Sequence, residues 1–387
     1  VLDAGAGPNG RRARLRRVPS PAPGPRDLLA APLFAGLCGT DLQILRGVRP
    51  DSARVLGHEG IAVVLRGRAD GAGPAAGSRI VFNPVNPRRQ DEVLGHSFDG
   101  LFQQRRVVTD DEQGWGMAVP LEAGIPDLCA TLVEPLGTAV YGQALVGGGR
   151  TPACVLVIGA GPVGLLNALH ARARGCPRVL LASRGGGRLA WAVARGIVRT
   201  DDAVRLDDPA GEVRERMGGG ACEVYVCVPR EGAAAALRLA AACVREDGCI
   251  DLVGGVPAEL RMAGVHPDPA EIRRRNVCGL PSAGAVFPAR IGGRRARITG
   301  HRGTGPAHLA EAMAALRRRP WHYGRVISHV APLGAAPALL ARLARPGTAV
   351  DRDPFVKIVF DLQAEGDRAV PLAPPPAEPL PTLDPAD

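Results

Sequence analysis

Aromatic residues are scarce in this 387-residue chain, only 3% of it, and lysine occurs once, at Lys357. The first shortage excludes a base-stacking nucleic-acid platform, which needs aromatic faces beside basic side chains. The second changes the meaning of the net charge of +10. That charge is almost wholly arginine scattered among alanine, glycine and proline, the pattern of a GC-rich coding bias, so it identifies neither a nucleic-acid nor a membrane partner. No apolar run of about 18 residues is present to span a bilayer, and residues 1–17 lack the charged-then-apolar layout of a signal peptide. The nine cysteines contain no C-x-x-C pair and no regular spacing, which excludes a disulfide framework. Cys154, Cys227 and Cys249 lie inside apolar runs, where a free thiol behaves as a small hydrophobe. A reducing, cytoplasmic setting follows as the expectation.

The length suits two domains, each large enough to bury its own core. Hydrophobic residues make up 46% of the chain, so those cores are built from Ala, Val, Leu and Ile. Residues 29–142 mix short β-rich runs at 61–65, 79–82 and 105–108 with Gly/Pro turns, the pattern of a strand-rich domain. The grammar changes around Gly147-Gly148-Gly149. Beyond it, apolar runs at 154–158, 178–182, 223–228, 249–253 and 296–299 alternate with helical patterns at 162–174, 189–195 and 232–244. That alternation predicts parallel βαβ units. A helix over 307–319 and strands over 325–330 and 354–360 follow, and the proline-rich, acidic residues 362–387 read as a disordered tail.

Four short signatures carry the chemistry. Gly159-Ala160-Gly161-Pro162-Val163-Gly164 follows the strand pattern 154–158 and opens a helix pattern. In such a loop the first glycine allows a tight turn, the second lets the backbone approach a pyrophosphate, and the third lets helix and strand pack closely. An acid about 20 residues onward would accept the ribose 2′-hydroxyl of NAD. Ser183 stands there instead, with Arg184 next and Arg188 close behind. A hydroxyl beside guanidinium groups suits a 2′-phosphate, so NADP(H) is the favoured cofactor and NAD(H) the other possibility. The remaining signatures are Cys38-Gly39-Thr40-Asp41, Gly57-His58-Glu59-Gly60 and Glu134-Pro135-Leu136. Cys38, His58 and Glu134 offer thiolate, imidazole and carboxylate, the ligand types of a catalytic zinc that keeps a position open. Glu59 is either a further ligand or a carboxylate behind the ligands.

In this order, those residues resemble the zinc-dependent medium-chain alcohol dehydrogenases, and Glu134-Pro135-Leu136 resembles their polyol (sorbitol) dehydrogenase branch, where a glutamate replaces the second cysteine ligand. The resemblance covers about residues 19–360. It implies an α/β protein: a GroES-like β-rich catalytic domain (1–146 and 300–361) interrupted by a Rossmann doubly wound parallel-sheet domain (147–299). It further implies that Cys38, His58 and Glu134 bind zinc, that Glu59 alternately ligates it or holds a water, and that Thr40 passes the alcohol proton outward. Residues 83–100 contain no cysteine where the family often carries a four-cysteine lobe, so one catalytic zinc per chain and no structural zinc is expected. The implied activity is hydride transfer between NAD(P)(H) and a secondary alcohol or ketone of a polyol, sugar or cyclitol, in a homodimer or homotetramer. A threonine-type amino-alcohol dehydrogenase and a non-catalytic NAD(P)-binding protein are the alternatives. His96 reads as a solvated loop histidine outside the active site, and Arg273-Arg274-Arg275 as a solvated basic run.

Overall fold

The computed structural model describes residues 1–7, 10–208, 210–281, 285–345 and 355–374. They fall into two compact units, Val1–Glu134 with Gly305–Ala349 and Phe355–Ala373, and Pro135–Thr304. The first division differs from the expected 146/147. Helix Val133–Gly147 runs unbroken through that region, and the glycine run ends the helix rather than separating the units.

The first unit is built on an eight-stranded sheet. Strand Leu28–Gly36 lies at its centre, antiparallel to Glu59–Arg66 on one side and to Lys357–Asp361 on the other. Glu59–Arg66 continues to Arg79–Phe82 and Ala118–Pro120, while Lys357–Asp361 pairs in parallel with Ile327–Pro332. The register sets Gly36 opposite both Glu59 and Val359. Two segments some 300 residues apart in the chain (Glu59 and Lys357 are separated by 298 positions) therefore converge on one strand end. The core beneath holds Leu28, Ile80, Phe102 and Phe360, the two phenylalanine rings meeting edge to face at 5.2 Å.

The expected disorder of residues 362–387 does not hold over its first half. Leu362 is buried and donates its N–H to the Leu33 carbonyl at 2.8 Å. Val370–Pro371 adds to the edge strand Ile327–Pro332. An edge tolerates proline because one side of the strand needs no donor, so prolines there did not prevent pairing. Residues 375–387 lie outside the described residues.

The second unit carries a seven-stranded sheet in the order Ala203–Arg205, Arg178–Ser183, Cys154–Ile158, Ala221–Val226, Val244–Leu252, Arg294–Gly300, Phe287–Ile291. The first six run parallel and the last is antiparallel to its neighbour. In chain order the parallel strands read 3-2-1-4-5-6, the doubly wound arrangement whose ligand crevice lies outside the carboxyl ends where the order reverses. Cys154–Ile158 is buried at every position, as a strand covered on both faces requires. At the carboxyl ends of the next strands, Asp251 and His301 form a fully buried pair at 3.3 Å, with the Tyr141 ring edge-on to His301 at 4.7 Å. Gly142 lets the helix approach: a Cβ there would stand 2.3 Å from Asp251 Oδ2. Among the described residues no helix is long and apolar enough to cross a membrane.

Candidate functional site

Cys38 caps the helix Gly39–Leu45, and Asp41 in its first turn turns back to accept the Cys38 N–H at 2.9 Å. The other Asp41 oxygen accepts the Gly57 N–H at 3.2 Å and stands 3.7 Å from His58 Nδ1. One fully buried carboxylate thus fixes the two loops that bear Cys38 and His58. The His58 loop needs its flanking glycines. Gly57 has φ +90°, and a Cβ on it would meet the Phe102 ring at 2.6 Å, while a Cβ on Gly60 would meet the Phe34 carbonyl at 2.7 Å.

The result is a cluster in which donor atoms of Cys38, His58 and Glu59 all lie within 4.8 Å of one another. His58 is 5% exposed and its Nδ1 has no hydrogen-bond partner, a cost that a buried polar atom bears only when something else completes its environment. Burial first, then Asp41, pushes the Cys38 thiol up from its ordinary value; Lys357 and the Thr40 hydroxyl, 3.3 Å from Cys38 Sγ, pull the other way. A dication seated among these donors would invert that balance and favour the thiolate. Soft sulfur, borderline imidazole and hard carboxylate fit zinc.

Glu59 is not a free carboxylate. Its Oε2 accepts from the ammonium of Lys357, which is fully buried and also donates to the Leu37 carbonyl at 3.3 Å. Burial lowers the Lys357 ammonium below its ordinary range, with the Cys38 and Asp41 charges opposing the shift. Gly36 makes room for the pair: a Cβ there would stand 2.6 Å from Lys357 Nζ and 3.0 Å from Glu59 Oε2.

The sequence grouped Glu134 with Cys38 and His58, but its carboxylate, in the first turn of Val133–Gly147, does not join the 4.8 Å group. The expectation for His96 is overturned. This side chain is 8% exposed and its ring stands edge-on to that of His58 at 4.7 Å. The loop that carries it folds inward because Gly95 and Gly100 pack directly on the Gly57 backbone. Sequence reasoning assigned no role to Asp41 or Lys357. Asp41 stood inside a quoted signature, and Lys357 was visible as the only lysine in an arginine-rich chain.

In the second unit the glycine loop has the expected form. Gly159 adopts φ +122°, with a Cβ position 2.4 Å from the Cys227 carbonyl. A Gly164 Cβ would stand 1.8 Å from the Gly159 carbonyl, whereas the space at Gly161 is open, with only Arg188 Nη1 near, at 3.8 Å. Gly161 caps the helix Pro162–Ala173 with Pro162 in its first turn and Val163 following, so the free N–H groups of that turn face the loop. Ser183 ends the strand Arg178–Ser183, Arg184 is exposed beside it, and Arg188 Nη1 lies 3.5 Å from the Ala160 carbonyl. Arg205, which the sequence did not single out, pairs in register with Ser183 and lies against Gly186.

Residues 24–120 match the family model of the alcohol dehydrogenase GroES-like domain. The chain is 32% identical over 191 residues to the glucose 1-dehydrogenase of Thermoproteus tenax, covering 44% of this chain and 54% of that protein. It is 30% identical over 284 residues to the L-threonine 3-dehydrogenase of Symbiobacterium thermophilum, covering 68% of this chain and 76% of that protein. The chain thus spans about half the length of the first relative and three quarters of the second. The 2R,3R-butanediol dehydrogenase of Bacillus subtilis shares the fold, with a TM-score of 0.71 at 19% identity over 94% of this chain and 100% of that one.

Proposed function

Because this chain belongs to the zinc-dependent medium-chain alcohol dehydrogenase superfamily, we propose that it transfers a hydride between NAD(P)(H) and a secondary alcohol or ketone of a polyol, sugar or cyclitol. The observation that carries the proposal is the Cys38, His58 and Glu59 group within 4.8 Å, with a buried, unpartnered His58 nitrogen in it. When bound, zinc supplies a Lewis acid and the dinucleotide a hydride carrier.

The protein's own residues hold and orient. Cys38 and His58 would hold the metal, with Glu59 as the carboxylate donor whose charge Lys357 balances. Asp41 keeps both ligand loops in place by accepting the Cys38 and Gly57 backbone N–H groups. The Thr40 hydroxyl, two residues from Cys38, would take the substrate's hydroxyl proton. The family resemblance adds Glu134 as a further donor, and Glu134→Gln separates the roles: loss of zinc assigns it as a ligand, and full retention leaves the triad as the holding set.

The sugar or polyol reading draws support from the glucose 1-dehydrogenase relative, and the amino-alcohol reading from the L-threonine 3-dehydrogenase relative. Absorbance at 340 nm with a panel of polyols, ketoses and L-threonine decides between them. Turnover of the first group is expected; turnover of threonine alone supports the alternative, and silence across the panel supports a binding role.

The NADP(H) preference is supported by Ser183 in place of an acid at the end of its strand, with Arg184 exposed next to it and Arg205, itself paired with Asp207, in register with it. A charge-assisted contact contributes about 1.5–3 kcal/mol, so NADP+ is expected to exceed NAD+ in kcat/KM by about 10- to 100-fold. Arg184→Ala should erase most of that margin by raising KM for NADP+ alone. An NAD+ preference in the wild type sinks this assignment.

A further inference from the structure

Cys154 is the first residue of the strand Cys154–Ile158, and Cys222 lies on the adjacent parallel strand Ala221–Val226. Val155 and Glu223 are register partners, so the two cysteines occupy the neighbouring step on one face of the sheet. Their Sγ atoms are 3.1 Å apart. The contact is built in by the backbone. The Cys222 N–H donates to Cys154 Sγ at 3.3 Å, and the Cys154 thiol has two acceptors in reach, the Gly220 carbonyl at 3.1 Å and the Cys222 sulfur. Cys154 is buried while Cys222 is half-buried, so Cys222 is the more accessible residue of the pair. Both are free cysteines, and the metal and dinucleotide residues described above use neither.

We propose that Cys222 and Cys154 form a peroxidatic pair in the dinucleotide-binding unit: a hydroperoxide oxidises Cys222, and Cys154 resolves it to an intrachain disulfide. In the first step the Cys222 sulfur attacks one peroxide oxygen. An S–O bond forms, the O–O bond breaks, and the leaving alkoxide takes up the proton that the Cys222 thiol has released, departing as the alcohol. In the second step the Cys154 sulfur attacks the Cys222 sulfur. An S–S bond forms, the S–O bond breaks, and the departing hydroxide takes the Cys154 proton to leave as water. The two thiols lose two electrons and the hydroperoxide gains them, giving alcohol and water.

The polarity of the pair follows from its hydrogen bonds. The Cys154 thiol can donate to the Cys222 sulfur, which together with the nearby Arg245 charge holds Cys222 below the ordinary thiol range, and Cys154 is pushed above it. The thiolate is the nucleophile, so attack begins at the half-buried Cys222. Cys176, near enough to feel the Cys222 charge, donates its thiol to the Arg178 carbonyl at 3.3 Å instead and is buried. The disulfide would tie two neighbouring strands at the end of the sheet opposite the glycine loop, which begins where Cys154–Ile158 ends.

The test treats the folded, metal-loaded full-length protein with one equivalent of tert-butyl hydroperoxide, blocks remaining thiols with N-ethylmaleimide, and maps peptides by mass spectrometry. The expected result is a peptide cross-link between Cys154 and Cys222 that dithiothreitol reverses, with two thiols lost per chain. In Cys154→Ser the cross-link is replaced by sulfenic or sulfinic acid on Cys222. Maleimide-labelled Cys222 in the treated wild type, or a link from Cys222 to any other cysteine, overturns the proposal. So does an unlinked Cys222 sulfinic acid in the wild type, because it shows that Cys154 does not resolve.

Discussion

Lys357→Met is expected to destabilise the first unit by about 3–5 kcal/mol, the cost of leaving one member of a buried ion pair without its partner. Set against a total stability of about 5–15 kcal/mol for a typical domain, that loss is large. The cause is specific to this packing. Glu59 sits on the sheet at Gly36, both side chains of the pair are buried, and the space they occupy exists because Gly36 has no side chain. Methionine fills the volume of the lysine stem but supplies no donor. The Glu59 carboxylate must then be protonated, drag water inward or move. Urea unfolding of chelator-treated protein, read by Trp115 and Trp321 of this unit, measures the loss. Adding Glu59→Gln should recover most of it, since the uncompensated charge is then gone. A single Lys357→Met variant as stable as the wild type contradicts the pairing.

Gly164→Ala should weaken dinucleotide binding by about 10- to 100-fold, because overpacking costs about 1–3 kcal/mol and each 1.4 kcal/mol is tenfold in affinity. Its Cβ would stand 1.8 Å from the Gly159 carbonyl and 3.3 Å from Cys227 Cβ. The first of these is backbone and cannot rotate away. Helix Pro162–Ala173 must therefore lift off the strand, carrying its N-terminus from the phosphate position, and thermal stability should fall with affinity. Gly161→Ala provides the contrast. Space at Gly161 is open in the protein itself, so a methyl group there obstructs the approaching pyrophosphate and leaves stability near wild type. Cofactor titration by fluorescence, alongside a melting curve, separates the two. Equal binding in all three proteins would contradict a phosphate loop at this turn.

The dinucleotide unit was legible because its signals are local. The Cys154–Ile158 strand, the glycine loop and the helix after it follow one another within twenty residues, and apolar runs at a fixed alternation leave little choice of topology. Helix Val133–Gly147 was not legible, because three glycines and a proline mask its periodicity. The short antiparallel strand Phe287–Ile291 was hidden because Pro288 and Arg290 interrupt its apolar run. In the metal cluster, Cys38, His58 and Glu59 could be read from two short signatures. What surrounds them could not. Lys357 reaches Glu59 across 298 positions of sequence only through sheet register, and His96 reaches His58 only through a glycine-lined loop fold. Glu134 has an equally local and clear signature, and its carboxylate is not among the donor atoms that lie within 4.8 Å of one another.

We propose that Cys38, His58 and Glu59 seat a single zinc ion on which the chemistry depends. Elemental analysis of the purified wild type and of His58→Ala tests it most directly. One zinc per wild-type chain and nearly none in His58→Ala is expected, with the variant still folded, since His58 Nδ1 makes no hydrogen bond that the fold would lose. A wild type that holds no zinc, or a folded His58→Ala that keeps its full complement, would contradict it.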